Sequence, residues 1–188
     1  MQRREAVQYI SLLLGGTLVG GSLFTTGCKT ATKDENAFSE TDIAYLDEVG
    51  DTILPTTGSP GAKATKIGLF MTTMINDCYE PKNKKVFLEG MKKLDELSEK
   101  QFSESFVDAS PQQRKELLVQ LDIEQKDYML KKKPEDVSHY FRMMKELTLL
   151  GYFTSEIGSK QARRHVPVPG RYDACIPYKK GDKAFSQS

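Results

Sequence analysis

Apolar side chains recur at helical spacing in five stretches of the chain. After Ser39, the residues Ile43, Leu46, Val49 and Ile53 fall on one face, the spacing of an amphipathic helix. Ser39 with Asp42 three positions on has the form of a capping box. Pro55 ends this helix, and residues 56–61 (TTGSPG) read as a turn-rich loop. Residues 64–79 predict a second helix with Ile67, Phe70, Met71, Met74, Ile75 and Cys78 on one side. The methionines suit an adaptable core better than a ligand site. Pro81 interrupts the chain. Residues 84–100 predict a third helix, with Phe87, Met91, Leu94 and Leu97 inward and lysines outward, and Phe102 and Phe106 continue the pattern into a short amphipathic piece.

Ser110-Pro111-Gln112-Gln113 combines an N-cap serine, a proline in the first turn and a glutamine at the capping-box position. Leu117, Leu118, Leu121 and Tyr128 supply the face of this fourth helix. Lys131, Lys132, Lys133 and Pro134 mark its end, the cations lying where the helix dipole favours them. A last helix is predicted over 135–157, with Val137, Phe141, Met144, Leu147, Leu150 and Phe153 as its apolar positions and Gly158 as its C′ residue. No strand alternation of any length interrupts the series. The predicted fold is all-α: a single helical domain of about five helices over residues 38–158, followed by an extended tail over 159–188.

The first 27 residues have the pattern of an export signal and are set apart from the fold. Arg3 and Arg4 begin a short charged region, and an apolar, glycine-rich run over 10–24 follows. As a helix, about 15 residues would reach about 22 Å, short of a hydrocarbon core of roughly 30 Å. The paired arginines and the weakly apolar glycines point to the twin-arginine route, which carries folded proteins. Gln2, Ala6, Val7 and Gln8 depart from the usual motif, so an ordinary secretory signal is the alternative. Cys28 follows small residues and precedes a polar stretch over 29–36. That arrangement predicts a lipidated cysteine at the start of the mature chain and a flexible tether over 28–37. Conventional cleavage near Gly27, leaving a free thiol, is the other reading.

The tail is the unusual stretch. Pro167, Pro169 and Pro177 fix φ and remove three backbone donors. Yet the same stretch carries Val166, Val168, Tyr172, Ile176 and Tyr178, whereas a free linker is polar and poor in aromatics. A proline-stiffened, aromatic tail predicts a segment that lies on a surface, either its own domain or another protein.

YFTSEIG (residues 152–158) followed by VPVPGRYDACIPY (166–178) resembles the C-terminal signature of the gluconate 2-dehydrogenase subunit 3 family. YLDEVGDTILP (45–55) resembles that family's N-terminal block, and Asp77, Cys78 and Tyr79 sit where similar chains continue. The resemblance spans roughly residues 38–178. It implies a non-catalytic accessory subunit that binds and exports a signal-less, FAD-dependent dehydrogenase of the glucose-methanol-choline (GMC) type to the periplasm. It implies FAD in that partner, haem c in a possible cytochrome c electron acceptor, and a sugar, glycoside or polyol as substrate. The expected partner contacts are Tyr152, Phe153, Arg171, Tyr172, Cys175, Ile176 and Tyr178, since tyrosine and arginine are favoured interface anchors. Phe153 fits the helical core equally well, and Tyr152 is expected to be partly exposed.

Composition narrows the chemistry further. The 188 residues carry 27 basic and 26 acidic side chains. That balance argues against nonspecific nucleic-acid binding. There is no GxGxxG or Walker A loop, no CxxCH, and no histidine pairing for zinc around His139 or His165. Cys175 with His165 is a conceivable nucleophile pair, but no structured frame surrounds either. Asp47, Glu48 and Asp51 form an acidic face, read as solvated in preference to metal-binding. With Cys28 lipidated, Cys78 and Cys175 remain. An intersubunit bridge from Cys175, an internal Cys78–Cys175 bridge and free thiols all stay open. The alternative from another class is a stand-alone helical periplasmic lipoprotein, acting as a spacer or small-ligand binder.

Overall fold

The computed structural model describes residues 38–168, 170–171 and 174–186. Arg3, Arg4, Cys28 and Tyr172 lie outside the described residues. Five α-helices are present among those described: α1 (Glu40–Ile53), α2 (Ile67–Asp77), α3 (Pro81–Phe102), α4 (Pro111–Lys131) and α5 (Tyr140–Thr154). Both predicted capping boxes are formed. The Ser39 N–H donates to Asp42 Oδ2 at 2.8 Å and the Asp42 N–H returns to Ser39 Oγ at 3.2 Å. Ser110 and Gln113 repeat the exchange at the start of α4.

Three boundaries differ from the sequence expectation. The stretch 64–79 is not one helix: a 3₁₀ turn (Ala62–Thr65) comes first, and Lys66 adopts a left-handed conformation (φ 55°) before α2 starts. Pro81 begins α3 rather than interrupting the chain, because the first helical turn needs no N–H from it. The last helix starts at Tyr140, five residues late, with the His139 ring nitrogen Nδ1 accepting the Phe141 N–H at 3.3 Å. Residues 133–136 instead close a turn on the Asp136 carboxylate, which accepts the Lys133 N–H at 3.0 Å.

Helix α5 packs against each of the other four helices. Its Phe141, Met144 and Leu147 join Leu46 and Val49 of α1, Ile67, Met71 and Ile75 of α2, Phe87 and Leu94 of α3, and Leu117 and Leu121 of α4 in one core. Close approach is built in at Gly68, where an added Cβ would sit 2.1 Å from the Ile43 carbonyl oxygen. Leu150, expected inward, is exposed.

Beyond α5 the chain does not simply run away. Gly158 is not a left-handed C′ residue: a wide helical turn (Gly158–Ala162) continues past it. An added Cβ there would lie 1.9 Å from the Tyr152 carbonyl oxygen, so glycine is required for contact rather than for φ. Two short strands follow, β1 (Arg164–His165) and β2 (Phe185–Ser186), paired in parallel. The Arg164 N–H donates to Ala184 O at 2.9 Å and the Val166 N–H to Ser186 O at 2.8 Å. The expected tail is therefore pinned at both ends into a loop.

Candidate partner interface

The end of α5 sets the base of this region. Tyr152, expected to be partly exposed, is only 4 % exposed. Its hydroxyl donates to Pro60 O at 2.6 Å and lies 3.3 Å from Ser59 Oγ. Its role is thus internal: it ties the 56–61 loop to α5, a hydrogen bond that a buried phenol needs. Phe153 is half-buried against the core. The Arg163 guanidinium covers its ring at 4.5 Å and donates to the Phe153 carbonyl at 2.9 Å, satisfying one of the carbonyls a helix end leaves open.

The remaining expected contacts sit on the loop. Arg171 and Cys175 are exposed. Ile176 is 55 % and Tyr178 76 % exposed, and Phe185, half-exposed, carries the Arg164 guanidinium over its ring at 4.9 Å. Ile176, Tyr178 and Phe185 line an open cleft of about 1130 Å³ with Arg164, His165 and Lys183. A tight turn closes its far side. Lys179 N–H donates to Asp182 Oδ2 at 2.8 Å, and Gly181 takes φ 97°, a conformation that suits glycine.

Charge separates along the chain. Residues 159–188 hold seven basic and two acidic side chains, a formal +5, whereas residues 38–158 hold 16 basic and 21 acidic, a formal −5. Phe185 and Arg163 were not among the expected residues. The signals were an isolated aromatic in a polar C-terminus and an arginine pair directly before the proline-rich stretch.

The acidic face of α1 is structural rather than solvated. Asp47 Oδ1 accepts the Gly68 N–H at 2.7 Å. Glu48 binds Arg114 at 2.5 Å and also Lys63. Burial raises the Glu48 pKa, but the Lys63 and Arg114 hydrogen bonds outweigh it and hold the carboxyl below its ordinary value. Asp122 is held down to about 2 by hydrogen bonds from Lys126 and Lys145. His139 is shifted down by burial, against the pull of Glu124 with Oε1 3.7 Å from Nε2. Among the described residues no group of three His, Cys, Asp or Glu side chains is placed to hold a metal ion. No described helix is long and apolar enough to cross a membrane.

Among the described residues Cys78 and Cys175 are exposed free thiols. Cys78 was expected on the buried stripe of the second helix. That helix ends at Asp77, so Cys78 leaves the stripe one residue too late to be covered.

A family model described as gluconate 2-dehydrogenase subunit 3 matches residues 40–170. The chain belongs to that family. No curated protein and no solved structure matches the chain. For a gluconate 2-dehydrogenase subunit 3 chain, the matched range has a structural meaning here: it runs from the first residue of α1 through β1. It covers the whole helical body, and the cleft residues from Ile176 to Phe185 lie beyond it.

Proposed function

We propose that this chain is the non-catalytic small subunit of a dehydrogenase complex. In this reading it binds, stabilises and exports a signal-less, FAD-dependent catalytic subunit of the GMC type that oxidises a sugar, glycoside or polyol. The observation that carries the reading is the family match over residues 40–170, a family named for a dehydrogenase subunit. The N-terminal sequence supports the export part. Arg3 and Arg4 would address the pair to a route for folded proteins, and Cys28 would take the lipid that holds it to a membrane facing the periplasm. FAD would sit in the catalytic subunit, and a cytochrome c with haem c would accept its electrons. The exposed loop with Arg171, Cys175, Ile176 and Tyr178 supports partner binding, since its aromatic and basic groups are of the types that anchor interfaces.

The test is to follow both proteins in a strain producing the full chain and the flavoprotein. Replacing Arg3 and Arg4 by lysine is expected to leave both in the cytoplasm, and affinity capture of the wild-type chain is expected to bring down a yellow protein. A flavoprotein that reaches the periplasm normally beside the lysine variant overturns the export role. Failure of any flavoprotein to accompany the wild-type chain overturns the subunit role and favours a stand-alone lipoprotein.

A further inference from the structure

We infer that the cleft bounded by Arg164, Ile176, Tyr178, Lys183 and Phe185 receives an acidic surface loop of the catalytic subunit. This rests on the subunit reading above and specifies how the partner is recognised. Three observations carry it. First, the ends and the tip of the loop are held before any partner arrives. The β1–β2 pairing clamps its ends and the Asp182 turn shapes its tip, so part of the ordering cost is met before binding. Second, its lysines are not taken up by carboxylates of its own chain. Among the described residues Lys179, Lys180 and Lys183 pair with no carboxylate, although the helical body of the same chain carries a formal −5. Lys183 donates instead to the Gln161 carbonyl. Third, Ile176, Tyr178 and Phe185 are exposed and line the cleft with Arg164 and Lys183, while Lys179 and Lys180 stand on the turn between the lining residues Tyr178 and Gly181, giving apolar anchors within a basic rim, the composition that selects an acidic partner.

Two other occupants fit less well. A membrane contact needs an apolar face that can enter the lipid boundary, whereas these three side chains line a concavity. A second copy offers an acidic body, but a tail-to-body contact is head-to-tail and propagates into open chains unless the rotation closes.

The experiment uses the full chain co-expressed with the flavin-dependent subunit and captured through a tag on the flavoprotein. The expected result is retention that weakens as salt rises from about 0.05 to about 0.5 M. Lys179→Glu, Lys180→Glu and Lys183→Glu together should reduce retention about tenfold at low salt. Zero-length carbodiimide coupling of the wild type should join those lysines to carboxylates of the flavoprotein. Tyr178→Ala should also weaken retention while leaving the salt dependence unchanged. Retention indifferent to salt and to the triple substitution would overturn the inference while leaving the subunit reading intact. So would cross-links running only to a second copy of the chain, or wild-type chain binding anionic vesicles through the same lysines in place of the flavoprotein. A wild-type chain that retains no flavoprotein at low salt removes the subunit reading and this inference together.

Discussion

In the helical body, polar side chains reach far along the sequence. Tyr152 bonds to Pro60, Arg114 to Glu48, Lys145 to Asp122, and Asp47 to the backbone of Gly68. In the loop after Ala162 the contacts turn inward on the loop itself: β1 on β2, Asp182 on Lys179, Arg164 on Phe185. Arg163 and Lys183 are among the links between them, through the carbonyls of Phe153 and Gln161. The two regions therefore differ in what holds them. The body depends on burial shared among five helices, so a local change is felt throughout. The loop depends on a few backbone bonds and a turn, so it can change without disturbing the core. That division suits a stable body that presents a separate binding element.

The largest effect should come from forcing the helices of the body apart. Gly68→Ala places a methyl group 2.1 Å from the Ile43 backbone oxygen, and no rotamer relieves a clash with backbone. It should destabilise the body by about 3 kcal/mol, read as a lowered urea midpoint. A midpoint equal to wild type would mean that α1 and α2 do not approach as described. The same substitution at Gly170, where nothing lies within 4 Å, should leave the midpoint of the body unmoved despite its positive φ.

Next in size is Tyr152→Phe. The ring stays but the hydroxyl is lost, leaving the Pro60 carbonyl without its 2.6 Å donor. The expected cost is about 1–2 kcal/mol. Capture of the flavoprotein should be unchanged once the protein is folded, because the ring is 4 % exposed. Loss of capture without loss of stability would return Tyr152 to the interface.

These two residues show where the sequence was readable and where it was not. Ser39 with Asp42 and Ser110 with Gln113 were legible because the whole motif lies within four residues. The inward faces of α1 and α3 followed from period alone, and that of α5 did so except at Leu150. Tyr152 was not legible: its partner is 92 residues away, and no local pattern encodes that distance. Cys78 failed for a different reason, since periodicity says which face a residue takes but not whether the helix reaches it. Pro81 was misread because a proline marks a helix start as well as a break. The loop closure rests on Arg164 and Phe185, strands too short to show alternation.

A smaller effect sharpens the contrast through pH. An Asp122 pKa held near 2, against an ordinary 3.8, means that the unfolded chain takes up a proton first as pH falls between those values. Its stabilisation is complete above the ordinary value and lost as pH drops through the folded one. Asp122→Asn should remove that part of the acid dependence of unfolding. His139 acts with the same sign at higher pH. Its lowered pKa favours the neutral ring in the fold, so stability starts to fall as pH drops through the ordinary histidine range. His139→Asn, which keeps an N-cap acceptor, should flatten the curve there. Unfolding midpoints measured across the acid range check both, and curves superimposable on wild type would refute them.

The smallest effect concerns the join between the two regions. Removing residues 166–188 deletes the cleft and β2 while keeping the wide turn after α5, and Arg163 above Phe153. Among the described residues no core hydrophobic lies beyond Tyr152, and the last one packed against that core is Ala162. The expected change in body stability is therefore about 0.5 kcal/mol or less. Removing residues 163–188 should cost about 1 kcal/mol more. That cut also takes the Arg163 guanidinium from the Phe153 carbonyl at 2.9 Å and uncovers the ring beneath it. Both truncated chains should lose the flavoprotein equally. If the shorter deletion already destabilises the body as much as the longer one, the loop is part of the fold and not an element carried upon it. If the two deletions cost the same small amount, Arg163 is not the residue that seals the end of α5.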